Sequence, residues 1–108
     1  RAIRRLLHAL RYGHNSLQAK NAFQGLGERY ERLGNLPRSI WYYSRALELA
    51  EDDANTRCWR GQVYYQHGDW DAARTDLEEA LGSDDMELAA EDREIAEQYL
   101  RELRRRSH

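Results

Sequence analysis

The sequence predicts an all-α fold, an α-solenoid in which about six helices stack as antiparallel pairs. Two observations support this prediction. The 108 residues include one proline and seven dispersed glycines, and a third of them are charged, which is typical of a helical domain rather than a sheet-rich or disordered one. The chain also resembles itself at an offset of 34 residues, and a fixed period of roughly 20 to 50 residues is typical of stacked repeat units.

A chain of this length buries one modest core, so we expect a single domain over residues 1–108 with little room for a deep active site. The sequence begins at Arg1 without a methionine. We therefore expect it to be a piece of a longer protein, whose targeting signal or anchor lies elsewhere. No apolar run approaches the ~20 residues that a membrane-spanning helix needs.

The repeat aligns residues 27–48 on residues 61–82 without gaps. Identical or chemically similar residues recur as the pairs Gly27 and Gly61, Tyr30 and Tyr64, Gly34 and Gly68, Asn35 and Asp69, Ala46 and Ala80, and Leu47 and Leu81. Bulky apolar residues also recur as Leu36 with Trp70 and as Tyr43 with Leu77. Because an architectural element recurs whereas a catalytic pocket is normally unique, these residues are assigned to the scaffold.

Two kinds of glycine have different roles in this repeat. Gly27 and Gly61 lie inside predicted helices, where glycine costs about 1 kcal/mol relative to alanine, so we expect another helix to approach closely there. Gly34 and Gly68 fit helix ends that need a left-handed residue. Asn35 and Asp69 come directly after these two glycines, and Pro37 comes two residues after Asn35.

Asn35 and Asp69 are placed to cap the next helix, and Pro37 falls in its first turn, where its missing N–H costs little. Apolar residues then follow helical spacing in both copies. They are Ile40, Tyr43 and Leu47 in the first copy and Trp70, Ala73, Leu77, Ala80 and Leu81 in the second.

The combined pattern resembles the tetratricopeptide repeat, a helix-turn-helix unit that stacks into a right-handed superhelix. The departures from that family are specific. Glu51 and Asp85 replace its closing proline, Phe23 and Arg57 stand at its early tryptophan, and Arg60 stands where Leu26 keeps the usual leucine. The resemblance implies two full repeats, 20–53 and 54–87, after the second helix of a partial repeat, 1–12. Residues 88–106 are predicted to form a C-terminal capping helix.

In this family the first helices of successive repeats line a concave groove, and the resemblance implies the side chains that face it here. They are Asn21, Gln24, Glu28, Arg32, Asn55, Cys58, Gln62, Tyr65 and Gln66. Glu31, Asp92 and Arg93 are expected beside them. Amide and hydroxyl groups suit an extended peptide, because they pair with its backbone. The family's clamp for a C-terminal carboxylate needs basic residues where this chain has Gln24 and Glu28, so we expect that clamp to be absent.

The sequence offers little for catalysis, metal binding or a cofactor, and none of these is predicted. The four histidines show no ligand spacing with one another or with Cys58. Cys58 is the only cysteine, which excludes an intramolecular disulfide and favours a reducing compartment such as the cytoplasm. Trp41, Tyr42 and Trp59 fall outside the most buried repeat positions, so we expect at least one of them to be exposed to a partner or a neighbouring domain.

The sequence therefore predicts a non-enzymatic protein-binding module, a scaffold or adaptor that holds a peptide or a protein surface in its groove. Self-association is an alternative, since a basic start and an acidic stretch from Asp84 to Glu97 suit head-to-tail stacking. A regulatory or targeting domain of a larger enzyme, or of a secretion or assembly protein, is a second alternative. The net charge of −2 argues against nucleic-acid binding.

Overall fold

The structure, a computed structural model, describes residues 16–82 and 88–106. Within these residues the chain forms helices and no strands, which confirms the predicted all-α fold. The helices are α1 (Ser16–Arg32), α2 (Leu36–Leu49), α3 (Ala54–His67), α4 (Trp70–Gly82) and α5 (Ala90–Arg106). The helix predicted over residues 1–12 and the end of the second repeat, 83–87, lie outside the described residues.

The helices pack as two pairs and a cap. α1 packs on α2 and α3 on α4, each pair joined by a short turn that makes its helices antiparallel. α2 also packs on α3, which links one pair to the next, and α5 packs on both α3 and α4. Within the described part of the chain, no helix is long and apolar enough to cross a membrane.

Both predicted helix ends have the expected backbone. Gly34 and Gly68 have φ of 81° and 88°, in the left-handed region that favours glycine. The side chain of Asn35 accepts a hydrogen bond from the amide of Arg38 at 3.3 Å, and that of Asp69 accepts one from Ala72 at 3.4 Å. These local requirements set where α2 and α4 begin.

The two buried glycines lie where helices of a pair meet. A β-carbon on Gly61 would lie 2.9 Å from Cγ of Leu77, and one on Gly27 would overlap the ring of Tyr43. The predicted close approach is therefore confirmed in both repeats. Each glycine lets α1 or α3 rest directly on a large side chain of its partner helix.

The core has two parts. Between α1 and α2 it contains Ala19, Phe23, Tyr42 and Ala46. The second part joins α3, α4 and α5 and includes Cys58, Leu77, Leu88, Leu100 and Leu103. α5 supplies two of these buried leucines and so packs over the second pair, at the position of the predicted capping helix.

The two arginines at unusual repeat positions are held by acids of α4. Arg60 donates to both carboxylate oxygens of Asp76 at 2.7 Å, and Asp76 is only 2% exposed. Arg57 pairs with Glu79 at 2.6 Å. Ion pairs thus replace apolar packing at these positions.

Of the aromatic residues expected at less buried positions, Trp41 is exposed and Trp59 half-buried, while Tyr42 is buried. Tyr42 stacks on Tyr30 with ring centroids 5.4 Å apart. The expectation that at least one of the three is exposed is met by Trp41.

Candidate binding groove

Side chains of α1, α3 and α5 meet along one side of the stack, with α3 in the middle; we call this side the groove face. α1 contacts α3 through the Lys20–Asp53 and Gln66–Glu31 pairs. α5 contacts α3 through Asp92, which accepts from Trp59. Burial first, and the negative charge of Glu31 on α1 second, raise the pKa of Tyr99 on α5.

One end of the groove face is closed by hydrogen bonds between α1 and the start of α3. Lys20 Nζ lies 2.8 Å from Asp53 Oδ2, and Gln24 Nε2 donates to the same oxygen at 3.1 Å. Burial alone would raise the pKa of Asp53, but hydrogen bonds from Lys20 and from the Thr56 amide outweigh it and lower the pKa. Gln24 also donates to the Thr56 hydroxyl, so its amide hydrogens serve the fold.

The exposed predicted residues lie mainly on α1 and at the end of α3. Asn21, Glu28, Arg32 and Gln66 are exposed. Glu28 forms an ion pair with Arg32 one helical turn away. Gln66 Nε2 donates to Glu31 Oε2 at 2.8 Å, across the two helices. This part of the groove face offers polar groups to solvent.

Cys58 does not reach the groove face, contrary to the sequence prediction. Its side chain is 0% exposed and belongs to the core between α3 and α5. The thiol lies 3.5 Å from the carbonyl oxygen of Asp92 and accepts from Gln62 Nε2 at 3.4 Å. Burial raises the pKa of the thiol to about 11, despite the hydrogen bond from Gln62. Position 58 turns toward α5, whereas Gln62 remains half-buried beside it.

Tyr65 is part of a ring cluster rather than a free groove residue. Its ring stacks on that of Tyr99 at 4.6 Å and meets Trp70 edge-on at 5.2 Å. The guanidinium of Arg106 lies 4.7 Å from the Trp70 ring centroid. The cluster joins α3, α4 and α5, so Tyr65 holds α5 against the second pair.

Asn55 has a similar joining role at the start of α3. It is half-buried, and its side-chain oxygen accepts from the amide of Ala89, just before α5, at 3.3 Å. Of the predicted residues, Asn21, Glu28, Arg32 and Gln66 are therefore the exposed ones, and Gln62 is half-buried.

Trp59 is a groove-face residue absent from the predicted set. Its indole Nε1 donates to Asp92 Oδ2 at 3.2 Å, and its ring lies 6.2 Å from that of Tyr43. Asn55, Trp59, Gln62 and Gln66 follow one another at helical spacing. That stripe is the sequence signal that identifies Trp59.

Nothing in the described part of the chain forms a metal-binding group of histidine, cysteine and acidic residues. A hollow beside the end of α2 is lined by Arg45, Arg57 and Arg60, but each guanidinium already pairs with an acid, Glu48, Glu79 or Asp76. The hollow therefore has no cation left to bind an anion.

Comparison with protein families identifies a match. The family model described as tetratricopeptide repeat matches residues 26–101, more than two-thirds of the chain. No curated protein matches the sequence.

Proposed function

The chain belongs to the tetratricopeptide repeat family, and from that premise we propose that it is a non-enzymatic module that holds a peptide or an extended protein segment on its groove face. Repeats of this family generally mediate protein–protein interactions. The finer assignment, to this face, rests on the row of polar side chains that α1 and α3 turn outward.

The observation that carries the proposal is the chemistry of that row. Asn21, Glu28, Arg32 and Gln66 are exposed and Gln62 is half-buried, so this face presents amide and charged groups that can donate and accept hydrogen bonds. An extended peptide has one N–H and one C=O per residue to satisfy. Side-chain amides provide both functions and suit such a ligand without demanding one sequence.

The mechanism is binding to a preformed surface. The hydrogen bonds of Gln24, Asp53 and Asn55 and the stack of Tyr65 on Tyr99 fix the three helices relative to one another. A rigid face loses little conformational entropy when it binds, which favours affinity. Most of the conformational entropy lost on binding is therefore lost by the partner segment as it becomes ordered.

Selection of peptides tests the proposal. A displayed library of random peptides is selected on the wild-type chain, and each selected peptide is then titrated by fluorescence anisotropy against two double variants. The groove variant is Gln62→Ala with Gln66→Ala. The control is Thr75→Ala with Glu78→Ala, exposed residues of α4.

We expect the groove variant to lose about tenfold in affinity, as the removal of a few hydrogen-bonding groups at an interface does, and the control to bind like the wild type. Equal binding by both variants would place the ligand elsewhere. If no peptide is selected and light scattering instead detects oligomers of the chain, the result would favour self-association over peptide binding.

A further inference from the structure

Two carboxylates on the groove face each keep one oxygen open. Asp92 Oδ2 accepts from Trp59, and Glu31 Oε2 accepts from Gln66. Among the described residues, neither Asp92 Oδ1 nor Glu31 Oε1 accepts a hydrogen bond. Each acid thus has an acceptor left for a donor from outside.

The hydrogen-bond donors of these two acids are neutral, and within residues 16–82 and 88–106 no cation forms an ion pair with either of them. Other acids of this face are paired: Glu28 with Arg32 and Asp53 with Lys20. Burial and the charge of Glu91 raise the pKa of Asp92 against the hydrogen bond from Trp59. No described arginine, including the adjacent Arg93, forms an ion pair with Asp92 or lowers its pKa.

The chain has three tryptophans, and two of them carry an arginine over the ring. Arg45 lies 5.0 Å from the ring centroid of Trp41, and Arg106 lies 4.7 Å from that of Trp70. Within the described residues, no cation lies over Trp59. Tryptophan is the best aromatic partner for a cation, so the ring of Trp59 is a candidate cation–π acceptor beside an acid that has no ion-pair partner in the described part of the chain.

Together these features have the chemistry of a receptor for a positively charged side chain. A guanidinium or ammonium group stacked on an indole forms a cation–π contact, and its N–H groups make charge-assisted bonds to a nearby carboxylate. Resting on the proposed peptide-binding function, we propose that the groove face recognises an arginine or lysine of its partner, held between Trp59 and Asp92 and attracted by Glu31.

The same charges disfavour the opposite ligand. A peptide whose anchor is a carboxylate would bring its negative charge beside Asp92 and Glu31, with Lys20 and Arg32 already paired. Like charges at an interface act against the wrong partner. The partner segment is therefore basic at the position that faces Trp59.

Indole signals in an NMR titration test the proposal directly. Three indole N–H signals, assigned with single Trp→Phe variants, report separately on Trp41, Trp59 and Trp70. The probe is N-acetyl-arginine N-methylamide, and its neutral control is the citrulline analogue of the same shape. We expect the arginine probe to move the Trp59 signal and the citrulline probe to move it far less.

Asp92→Asn keeps an acceptor for the Trp59 indole but removes the charge, so the arginine probe should bind about fivefold more weakly, as expected for a partly exposed charge-assisted bond. Glu97→Gln, an exposed residue of the same helix, is the control and should bind like the wild type. Added salt should weaken binding of the arginine probe to the wild type and to Glu97→Gln, because both proteins keep the charge of Asp92.

Equal shifts with citrulline, unchanged binding by Asp92→Asn, or movement of Trp41 or Trp70 without Trp59 would each overturn the inference. The peptide selection described above distinguishes failure of the cation site from failure of peptide binding on the groove face. Selected peptides without a basic residue that still lose affinity for the Gln62→Ala, Gln66→Ala variant would reject the cation site while supporting groove binding.

Discussion

The ring of Tyr43 lies against the backbone of Gly27. A β-carbon at Gly27 would lie 2.7 Å from both Cδ1 and Cε1 of Tyr43, closer than two carbon atoms can approach. Tyr43 is 2% exposed and is one of the largest fully buried side chains of the core. The hydroxyl of Ser39 also donates to the Gly27 carbonyl at 2.7 Å, so this contact fixes how α1 crosses α2.

Gly27→Ala should therefore destabilise the fold by about 2 kcal/mol, since the methyl group overpacks a closed contact. Gly25→Ala is a matched control, because it lies in the same helix with nothing within 4 Å of an added β-carbon. It should stabilise the fold by up to about 1 kcal/mol through helix propensity. Urea denaturation of both variants measures the difference, and similar midpoints would contradict the packing described for Gly27.

The buried pair of Arg60 and Asp76 gives a second prediction. Arg60→Leu restores the usual family residue but leaves Asp76, 2% exposed, without its charge partner, and should cost about 3 kcal/mol or more. Arg57→Leu is the control, because its partner Glu79 is 53% exposed. It should cost less than about 1 kcal/mol.

The first repeat indicates how to rescue that variant. At an offset of 34 residues, Arg60 and Asp76 correspond to Leu26 and Tyr42, and both of these join the apolar core between α1 and α2. The double variant Arg60→Leu, Asp76→Tyr should regain about half or more of the lost stability, because an apolar pair can replace a buried ion pair. A double variant as unstable as the single one would show that Asp76 is not the source of the loss.

The sequence predicts those parts of the fold that depend on local backbone needs or on residues that recur. Gly34 and Gly68 need positive φ, and Gly27 and Gly61 need contact with a partner helix; both needs repeat after 34 residues, so the pattern is visible in one sequence. The pairing of Arg60 with Asp76 is not visible in this way. It joins residues that differ from their counterparts in the first repeat, and only packing brings them together.

The candidate site is less predictable for the same reason. Helical position places Cys58 and Tyr65 near the groove, but α5 covers them, because Leu100, Leu103 and Tyr99 pack there. Because α5 lacks the repeat motif, the 34-residue alignment does not predict which residues α5 buries. Trp59 was absent from the predicted set although the stripe through Gln62 and Gln66 includes it.

Tyr65 is predicted to act on stability, through the ring cluster that it forms with Tyr99 and Trp70. Tyr65→Ala removes the ring that stacks on Tyr99 and meets Trp70, and should cost about 2 kcal/mol, given that the side chain is half-buried. Tyr65→Phe keeps the ring and should cost little. Thermal denaturation distinguishes the two, and equal losses would assign the effect to the hydroxyl group instead.

The thiol of Cys58 should be inert in the folded chain. It is fully buried and its pKa is raised to about 11, so both access and thiolate fraction are low near neutral pH. Reaction with Ellman's reagent should be about a hundredfold slower than in the urea-unfolded chain, where the same thiol is exposed. Comparable rates in the two states would mean that α5 does not stay packed over Cys58.

Asp53 should make stability fall in acid. Its folded pKa lies below the ordinary value of 3.8, because hydrogen bonds from Lys20 and the Thr56 amide outweigh the effect of burial. The stabilisation is therefore complete above the unfolded pKa and is lost as pH falls through the lower, folded pKa. Asp53→Asn keeps a good N-cap for α3 but loses the charge that pairs with Lys20.

The variant should be less stable than the wild type by about 1 kcal/mol at neutral pH, as expected for one partly buried ion pair. The difference should shrink as pH falls below the unfolded pKa of Asp53 and on through the lower, folded pKa, because protonation removes the charge that pairs with Lys20. Asp52→Asn, at the exposed neighbouring residue, is the control and should keep the wild-type pH profile. Urea denaturation across this pH range measures all three proteins, and a constant difference between wild type and Asp53→Asn would show that the cap, rather than the charge, stabilises α3.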